Sequence, residues 1–404
     1  MSFLRPLGRA WRRVLGASLL GVAACAPPPP PAVAPTPPSQ VAGPVRLFSH
    51  ADPPVELLVF DHRRSRALIA SLGPVLDVVN RERAPGAPPI ALTVLAWRYD
   101  RGAAHVETEA TSVERIEVAT RFDAWLQDFA ELALAPGPDD TPRLVLVDPH
   151  RGAGLEGVAP ELALRWGARW VRLPEAPATA SSGAGNVEAL PGGLLLLGST
   201  VGDAMARFWL ERGHAGRHVR LDTSWLAVGH VDEIVSHVVT GPGPCDFALV
   251  RASPGRALAL VEADPDPPRG LRRRDAARQR TIEARLAGEI ERVRRALADG
   301  APACPDVPVV ELPVWYRCGS RDDAPEDCRS ELPNPVNMTV LGRHLLVPDP
   351  RDAPFARETR RALEARGQVV HLLDADAAHE RGGGLHCAMA VRRVPADGGP
   401  PWAP

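Results

Sequence analysis

The stretch "SWLAVGHVDEIVSHVV", residues 224–239, places a glycine and a histidine just ahead of two acidic residues. One residue separates His230 from Asp232, and Glu233 follows them, ahead of an apolar run with helical spacing. Acidic residues in a first helical turn are often only caps, because the helix dipole favours negative charge there. The histidine and aspartate therefore indicate catalysis only if other parts of the chain support it.

Two other stretches combine reactive side chains with unusual neighbours. In "WLQDFAE", residues 125–131, Asp128 stands among apolar residues, and in "RGGGLHCAMAVRR", residues 381–393, Cys387 follows His386 and three glycines. The last stretch has the pattern of a strand, which would place the Cys387 thiol at the mouth of a pocket and point His386 to the opposite face. A buried, inert cysteine is the alternative for this stretch taken alone.

Together, the three stretches resemble the catalytic domain of the protein-arginine deiminases, calcium-dependent enzymes that convert peptidyl arginine to citrulline. Further matches follow in the family's order, from about residue 90 to the C-terminus. They are "GAGNVEALP" at 183–191, "VRASP" at 250–254, "NMTVLGRHLLVP" at 337–348 and "PWAP" at 401–404. The resemblance implies the pentein fold, a five-bladed α/β propeller of repeated ββαβ units with the active site in its central channel.

The apolar pattern of the chain agrees with an α/β fold. Strand-like "VELLVFD", residues 55–61, is followed by "RALIASLGPVLDVVNRERA", residues 66–84, whose apolar residues recur at helical spacing. Similar pairs of a short apolar run and a helical segment recur through most of the length, which predicts repeated small α/β units. Periodicity alone does not separate one open sheet from a closed ring.

The chemistry of a guanidinium explains the predicted catalytic set. This group is planar and always cationic, so carboxylates must hold its nitrogens in the plane while a nucleophile approaches the carbon from the face. The resemblance assigns the grip to Asp128 and Asp232, and a thiolate nucleophile to Cys387. His230 is suited to protonate the leaving ammonia and then to activate water, because its ordinary pKa lies near neutral pH. The predicted enzyme is a protein-arginine deiminase, a hydrolase that forms citrulline through a cysteine thiouronium intermediate.

Three further residues are predicted to contact the substrate. The resemblance implies that Trp125 lines the arginine stem and that Arg381 lies at the pocket entrance; core packing and a solvated surface are their respective alternatives. Family members that modify proteins hold the peptide backbone with an arginine where this chain has Ala153, although Arg151 is close by. Hydrolysis of free arginine or another small guanidino compound therefore stays open, as does a catalytically inactive pentein that only binds.

Calcium is the predicted cofactor, because the resemblance places an ion beneath the active site and oxygen ligands suit this hard cation. The matching ligands are the side chains of Gln127, Glu131 and Glu188 and the backbone oxygens of Ala184 and Val187. At the family's second nearby ion, Phe129, Pro149 and Gly152 replace ligand types, and only Asp148 keeps its type. We therefore predict one structural calcium ion.

The N-terminus predicts export. Residues 1–25 form an arginine-rich, apolar signal that ends in "VAAC" and resembles a bacterial lipobox, which would make Cys25 the lipidated first residue. A plain secretory signal with an incidental cysteine is the alternative. Residues 26–45 form a proline-rich linker, and residues 46–404 form the catalytic domain. The chain is thus expected on the periplasmic or extracellular side of a bacterial membrane.

Charge and cysteines limit the other interpretations. The formal net charge of -2 leaves no electrostatic footprint for nucleic acid, and the sequence does not indicate an oligomeric state. With Cys25 lipidated and Cys387 kept unpaired, the four remaining cysteines can form disulfides in three ways. The pair Cys318 and Cys328 is the favoured bridge.

Overall fold

The structure is a computed structural model that describes residues 41, 43–99, 104–118, 125–137, 139, 141–150, 157–174, 183–214, 216–268, 270–271, 273–300, 302–319 and 327–395. All of them lie in one compact unit, Thr36–Pro404.

Short strands and helices alternate along this unit, as the apolar pattern predicts. The strands are β1 (Arg46–Leu47), β2 (Pro54–Asp61), β3 (Ala91–Trp97), β4 (Val113–Val118), β5 (Glu131–Pro136), β6 (Pro142–Asp148), β7 (Arg169–Arg172), β8 (Val187–Ala189), β9 (Leu195–Gly198), β10 (His218–Leu221), β11 (Val235–Val239), β12 (Phe247–Ser253), β13 (Val309–Pro313), β14 (Tyr316–Cys318), β15 (Cys328–Ser330), β16 (Thr339–Leu341), β17 (His344–Pro348), β18 (Val369–Leu373) and β19 (Met389–Arg393). The helices are α1 (Arg66–Arg81), α2 (Val158–Trp166), α3 (Asp203–Trp209), α4 (Pro254–Ala263), α5 (Ala276–Ala298), α6 (Ala353–Glu364), α7 (Asp376–His379) and α8 (Leu385–Ala388).

One connection pattern recurs in five small sheets. In each, two strands pair antiparallel, the chain then passes through a helix, and the next strand pairs parallel to the second. The units are β5–β6–α2–β7, β8–β9–α3–β10, β11–β12–α4–α5–β13, β16–β17–α6–β18 and β19–β2–α1–β3. Strands β1 and β4 extend two of these sheets. The mixed α/β fold predicted from the sequence is confirmed.

The unit that contains β2 shows why these residues adopt these elements. All eight residues of β2 are buried, and six of them are apolar, so the strand does not alternate between apolar and polar residues. Helix α1 buries one face, which includes Leu68, Leu72, Leu76 and Val79 at spacings of three and four residues. That face packs in the same apolar cluster as residues of β2 and β3.

The last strand of the described chain joins the first full unit. Strand β19 pairs antiparallel with β2, with Met389 opposite Val59. Since Cys387 precedes β19 by two residues, this pairing fixes the end of the predicted cysteine segment. Val41 and Val45, in the predicted linker, are buried in the apolar cluster of β5 and β9.

Two disulfides are present. One joins Cys318 to Cys328 across the β14–β15 hairpin, as favoured from the sequence, and the other joins Cys245 to Cys304. Among the cysteines that the structure describes, Cys387 alone is free, and it is buried. Across the described ranges, no helix has the length and apolar character needed to span a membrane.

Candidate functional site

The Cys387 thiol lies in the short helix α8, just before β19, and is 9% exposed. Asn337 holds the cysteine from two sides: its side-chain oxygen accepts a hydrogen bond from the Cys387 N–H at 3.2 Å, and its Nδ2 donates to Sγ at 3.2 Å. The same Nδ2 lies 3.3 Å from the backbone oxygen of Asp232. Asn337 thus ties the cysteine segment to the acidic turn.

The glycines before Cys387 make close packing possible. A Cβ on Gly384 would lie 2.6 Å from Asn337 Oδ1, and one on Gly383 would collide with the Trp125 ring. Larger residues would therefore push away either the amide that holds the thiol or the tryptophan of the predicted substrate pocket.

Asp232 lies in the 3-10 turn Val231–Glu233 and is 2% exposed. Its Oδ2 is 3.3 Å from Cys387 Sγ and 2.8 Å from His386 Nδ1. Its Oδ1 is buried without a hydrogen-bond partner among the described residues. One carboxylate oxygen is thus committed to the protein, while the other is free to accept from a ligand.

The structure corrects two local predictions. The apolar run after Glu233 is the strand β11 and not a helix. His386 does not face away from the site, because residues 385–388 form a helical turn instead of a strand. That turn carries the His386 imidazole to Asp232.

Gly185 lies close to Asp128, His230 and Asp232. Its N–H lies 3.5 Å from Asp128 Oδ1, and a Cβ at this position would lie 2.9 Å from His230 Nδ1 and 3.0 Å from Asp232 Oδ2. Asp128, His230 and Asp232 are all buried. The structure therefore brings the four predicted catalytic residues together around Gly185 and the Cys387 segment, while their catalytic roles stay predictions.

The electrostatics favour an ionised Asp232. Burial alone would raise the pKa of this carboxyl, but the hydrogen bond from His386 and the positive charges of His386 and His230 outweigh it and lower the pKa. For His386, burial would lower the pKa, but the Asp232 hydrogen bond and the charge of Glu188 raise it. Asp232 and His386 thus stabilise each other's charged forms.

The Cys387 thiol is held in its protonated form. Burial raises the pKa of this thiol well above its ordinary value, and the negative charge of Asp232 adds to the effect. The hydrogen bond from Asn337 acts in the opposite direction but is weaker. A cation brought in by a ligand would lower the pKa again.

Trp125 and Arg381, both predicted to contact the substrate, lie together. The Arg381 guanidinium carbon is 5.4 Å from the centre of the Trp125 ring, a cation–π distance. Arg381 and Ala388, the residue after Cys387, line a cavity of about 340 Å³ together with Asp374 and Asp376. Arg381 is therefore positioned between the tryptophan and an open cavity.

Four of the five predicted calcium ligands line one small cavity of about 60 Å³: Gln127, Glu131, Val187 and Glu188. The fifth, Ala184, begins the turn that leads to Val187. Glu131 Oε1 is buried without a hydrogen-bond partner among the described residues. Burial and the charges of Glu188 and Asp232 raise the pKa of Glu131 well above its usual range, and burial raises the pKa of Glu188 to about 7. Crowded buried carboxylates of this kind fit a divalent cation.

Two residues at the position of the predicted second ion, Phe129 and Asp148, make packing and hydrogen-bond contacts within the protein. Phe129 packs in an apolar cluster. Both oxygens of Asp148 accept hydrogen bonds, from the His150 N–H at 2.8 Å and from Trp170 Nε1 at 3.1 Å. Asp148 therefore has a structural role at this place. The predicted residues Cys25, Arg151, Gly152 and Ala153 lie outside the described residues.

Several site residues were missed from the sequence. Asn337 and His50 are far from the predicted catalytic residues in the sequence, and Glu233 carries only the signal of a helix cap. Glu233 Oε1 accepts a hydrogen bond from the His230 N–H at 2.9 Å. His50 lines the same cavity as Glu188. Asn337 was visible only as the first letter of "NMTVLGRHLLVP".

Comparisons with known proteins agree with these motifs. A family model described as Protein-arginine deiminase (PAD) matches residues 103–284. Protein-arginine deiminase type-3 of Rattus norvegicus is 28% identical over 322 residues, which cover 69% of this chain and 48% of that protein. Protein-arginine deiminase type-1 of Homo sapiens is 27% identical over 334 residues, with coverage of 69% and 47%. The chain thus spans about half the length of these curated relatives.

A solved structure supports the fold. Agmatine deiminase of C. jejuni superposes with a TM-score of 0.53 at 13% identity, over 87% of this chain and 96% of that one. At this identity the likeness concerns the fold alone, which is a mixed α/β fold. From the motifs and the comparisons, we conclude that the chain is related to the protein-arginine deiminase family over about 69% of its length.

Proposed function

We propose that the protein hydrolyses the guanidinium of arginine to citrulline and ammonia. The observation that carries this proposal is the pairing of the buried Cys387 thiol with Asp232 at 3.3 Å, with Asp232 Oδ1 left without a partner among the described residues. A guanidinium is the cation that fits an unpaired carboxylate oxygen beside a nucleophile. Asp128, across Gly185, supplies the second carboxylate.

In the proposed first step, Cys387 attacks the guanidinium carbon. The thiol is protonated in the free site, so the bound cation itself favours the thiolate by charge. A C–S bond forms, and the C–N bond to the terminal nitrogen breaks. His230 takes up the thiol proton and gives it to the leaving nitrogen, which departs as ammonia and leaves a thiouronium on the cysteine.

In the second step, His230 takes a proton from water, whose oxygen adds to the thiouronium carbon. The C–S bond then breaks, which releases citrulline and restores the thiol. Asp232 and Asp128 keep the carbon positioned by holding its nitrogens through both steps. His386 keeps Asp232 Oδ2 in place.

We propose that the cavity of Gln127, Glu131 and Glu188 holds one calcium ion. When bound, the ion would neutralise the crowded carboxylates of this cavity. Gln127 and Glu131 flank Asp128 in the sequence. Ordering their side chains on the ion would therefore orient the Asp128 carboxylate that holds the substrate. Apart from this ordering, the reaction steps rest on the residues of the chain.

Chelation is expected to abolish activity, and Ca²⁺ is expected to restore it, with a titration that fits a single class of sites. The reason is that burial and their mutual repulsion disfavour two charged carboxylates at Glu131 and Glu188 unless a cation lies between them. A colorimetric citrulline assay with an N-acylated arginine amide, with EDTA and then with added Ca²⁺, measures this. Full activity after exhaustive chelation would contradict the calcium proposal, whereas no citrulline under any condition would favour an inactive binding protein.

We further propose that the substrate is peptidyl arginine. The support is the overall resemblance together with Arg381, which stacks on Trp125 beside an open cavity of about 340 Å³. Free arginine is the second candidate, because Ala153 stands where the family's peptide-holding arginine is expected.

An N-acylated arginine amide is expected to be turned over with a kcat/KM at least about tenfold higher than free arginine, equivalent to about 1.4 kcal/mol of transition-state binding. The reason is that free arginine adds an α-ammonium and an α-carboxylate that an open peptide cleft does not neutralise. Initial rates with both substrates at saturating Ca²⁺ measure the ratio. A preference for free arginine would indicate a small-molecule pocket.

We also propose a propeller arrangement of the sheets and an exported location. Five ββαβ units suggest a five-bladed propeller around a central channel. Two disulfides suit an exported protein, because such bonds persist in oxidising compartments. We propose that the chain is a lipoprotein anchored through Cys25 on the outer side of a bacterial membrane.

A further inference from the structure

Two histidines outside the predicted catalytic set face the same carboxylate. His50, Glu188 and His386 each offer a ligand atom, and these atoms lie within 4.8 Å of one another. His386 Nε2 is 3.4 Å from Glu188 Oε1, and His50 Nε2 is 4.0 Å from Glu188 Oε2. All three side chains line the cavity of about 60 Å³ that also contains Glu131.

In both histidines, Nδ1 lies within hydrogen-bond distance of an acceptor, which orients the ring. His50 Nδ1 lies 3.0 Å from the backbone oxygen of His237, and His386 Nδ1 lies 2.8 Å from Asp232 Oδ2. Since a carbonyl or a carboxylate only accepts, each Nδ1 carries a proton, and Nε2 is the atom that can bind a metal. Metal binding at His386 displaces the second proton, which Asp232 and Glu188 favour on this ring. Metal-binding histidines in proteins are oriented in this way, with a carbonyl or carboxylate on the second nitrogen.

The charges in the cavity favour a cation. Glu131 and Glu188 both line it, and Glu131 Oε1 has no hydrogen-bond partner among the described residues. Arg393 also lines the cavity and opposes a cation, but its Nη1 and Nη2 donate to the backbone oxygens of Asp52 and Val340 at 2.9 and 2.7 Å. The guanidinium is therefore held by backbone acceptors instead of by the two glutamates.

The donor set distinguishes between classes of metal. Ca²⁺ takes oxygen ligands, whereas two imidazoles and a carboxylate are typical of Zn²⁺. Ligands at about 2.0–2.1 Å from a tetrahedral Zn²⁺ lie about 3.3 Å apart, which is close to the separation of His386 Nε2 and Glu188 Oε1. The three ligand atoms lie within 4.8 Å of one another, so His50 would need to approach by up to about 1.5 Å to reach this spacing.

We propose that His50, Glu188 and His386 form a binding site for a transition-metal ion, specifically Zn²⁺. Glu188 is also a predicted calcium ligand, so one ion excludes the other from the cavity. Zn²⁺ on His386 Nε2 also binds the imidazole that supports Asp232, and so links the metal to the catalytic turn. The competition with Ca²⁺ rests on the proposed calcium site, but Zn²⁺ binding itself does not.

Calorimetric titration of the EDTA-treated full chain with ZnCl₂, without substrate, tests the site. One ion per chain is expected, and His50→Gln and Glu188→Gln are each expected to weaken binding by at least about 100-fold, because loss of a ligand costs more than the roughly 10–100-fold typical of losing an outer-shell partner. His105→Gln is the matched control, since this histidine also lies beside a glutamate but its side chain is 83% exposed. Binding that is unchanged in both cavity variants would overturn the proposal.

The free thiol needs its own control, because Cys387 also binds Zn²⁺ well in principle. Cys387→Ser is expected to retain the Zn²⁺ affinity, and loss of binding in this variant would show that the thiol is the ligand. If a cavity variant does not fold, the absorption spectrum of Co²⁺ bound to the wild-type chain provides the test. Visible cobalt bands without a sulfur-to-cobalt charge-transfer band support the site. A charge-transfer band, or no Co²⁺ spectrum, overturns it. Because no step uses substrate, a failure here is distinct from a failure to form citrulline.

Discussion

Replacing Cys387 with serine is expected to lower citrulline formation by about 10⁴-fold or more, as removal of a covalent nucleophile typically does. A serine hydroxyl is slightly smaller than the thiol and can keep the hydrogen bonds to Asn337 and Asp232. It is not ionised at neutral pH, and no bound guanidinium lowers its pKa enough to make it a competent nucleophile. The fold is therefore expected to persist while the chemistry stops.

The comparison is made with the citrulline assay at saturating Ca²⁺ and with thermal unfolding of both proteins. Ala388→Gly is a suitable control, because it perturbs the same short helix and leaves the thiol in place. Undiminished activity of Cys387→Ser would refute the role of the cysteine. Loss of activity together with a large fall in the unfolding temperature would show that the position is structural.

Replacing Asp232 with asparagine is expected to lower activity on the order of 10² to 10³-fold, the loss typical of one preorganised electrostatic contact. A neutral amide cannot neutralise the guanidinium, and its NH₂ group would repel the substrate nitrogens. Asp128→Asn is expected to behave in the same way, because it supplies the second carboxylate. The change is measured as kcat/KM with the N-acylated arginine amide.

Glu233→Gln is the matched control for this pair of substitutions. Glu233 is the next residue in the same turn, but burial raises the pKa of its carboxyl to about 8, so it is largely protonated at pH 7. Glutamine keeps an oxygen that can accept from the His230 N–H, as Glu233 does at 2.9 Å. Activity in this variant should stay within about tenfold of wild type, the scale of one hydrogen bond of about 1.4 kcal/mol. An equal loss in both variants would argue against a specific role of Asp232 in charge neutralisation.

The Asp232→Asn variant is expected to have a more reactive Cys387 thiol, although its enzymatic activity is expected to fall. In the free protein, Asp232 helps to raise the pKa of Cys387, so the thiol is protonated at neutral pH. Removing that charge lowers the pKa and increases the thiolate fraction at a given pH. Alkylation of Cys387 by iodoacetamide is therefore expected to become faster in Asp232→Asn, with its pH profile shifted to lower pH. A slower or unchanged rate would contradict this electrostatic link.

Much of the fold was predictable because its signals are local. Helices such as α1 and α6 carry apolar residues at spacings of three and four, and strands such as β2 and β12 are short, mostly apolar runs. The Cys318–Cys328 bridge followed from a ten-residue separation that a hairpin can close. Each of these elements depends on residues that are neighbours in the sequence.

The remainder was not predictable because it depends on distant residues. The run after Glu233 has helical spacing, but it is a strand because β12 pairs with it. His386 was assigned to the wrong face because the turn 385–388 is stabilised by Asn337, about fifty residues away. His50 and Glu188 meet in one cavity although nothing in their local sequence links them.

The pairing of β19 with β2 has a consequence for biosynthesis. A ribosome makes β2 early and the Cys387 segment late, so the strand that anchors the thiol finds its partner only after some 330 intervening residues have emerged. Pairing over such a sequence distance is slow compared with local folding. Nascent chains thus carry no assembled thiol centre until translation of β19 is complete.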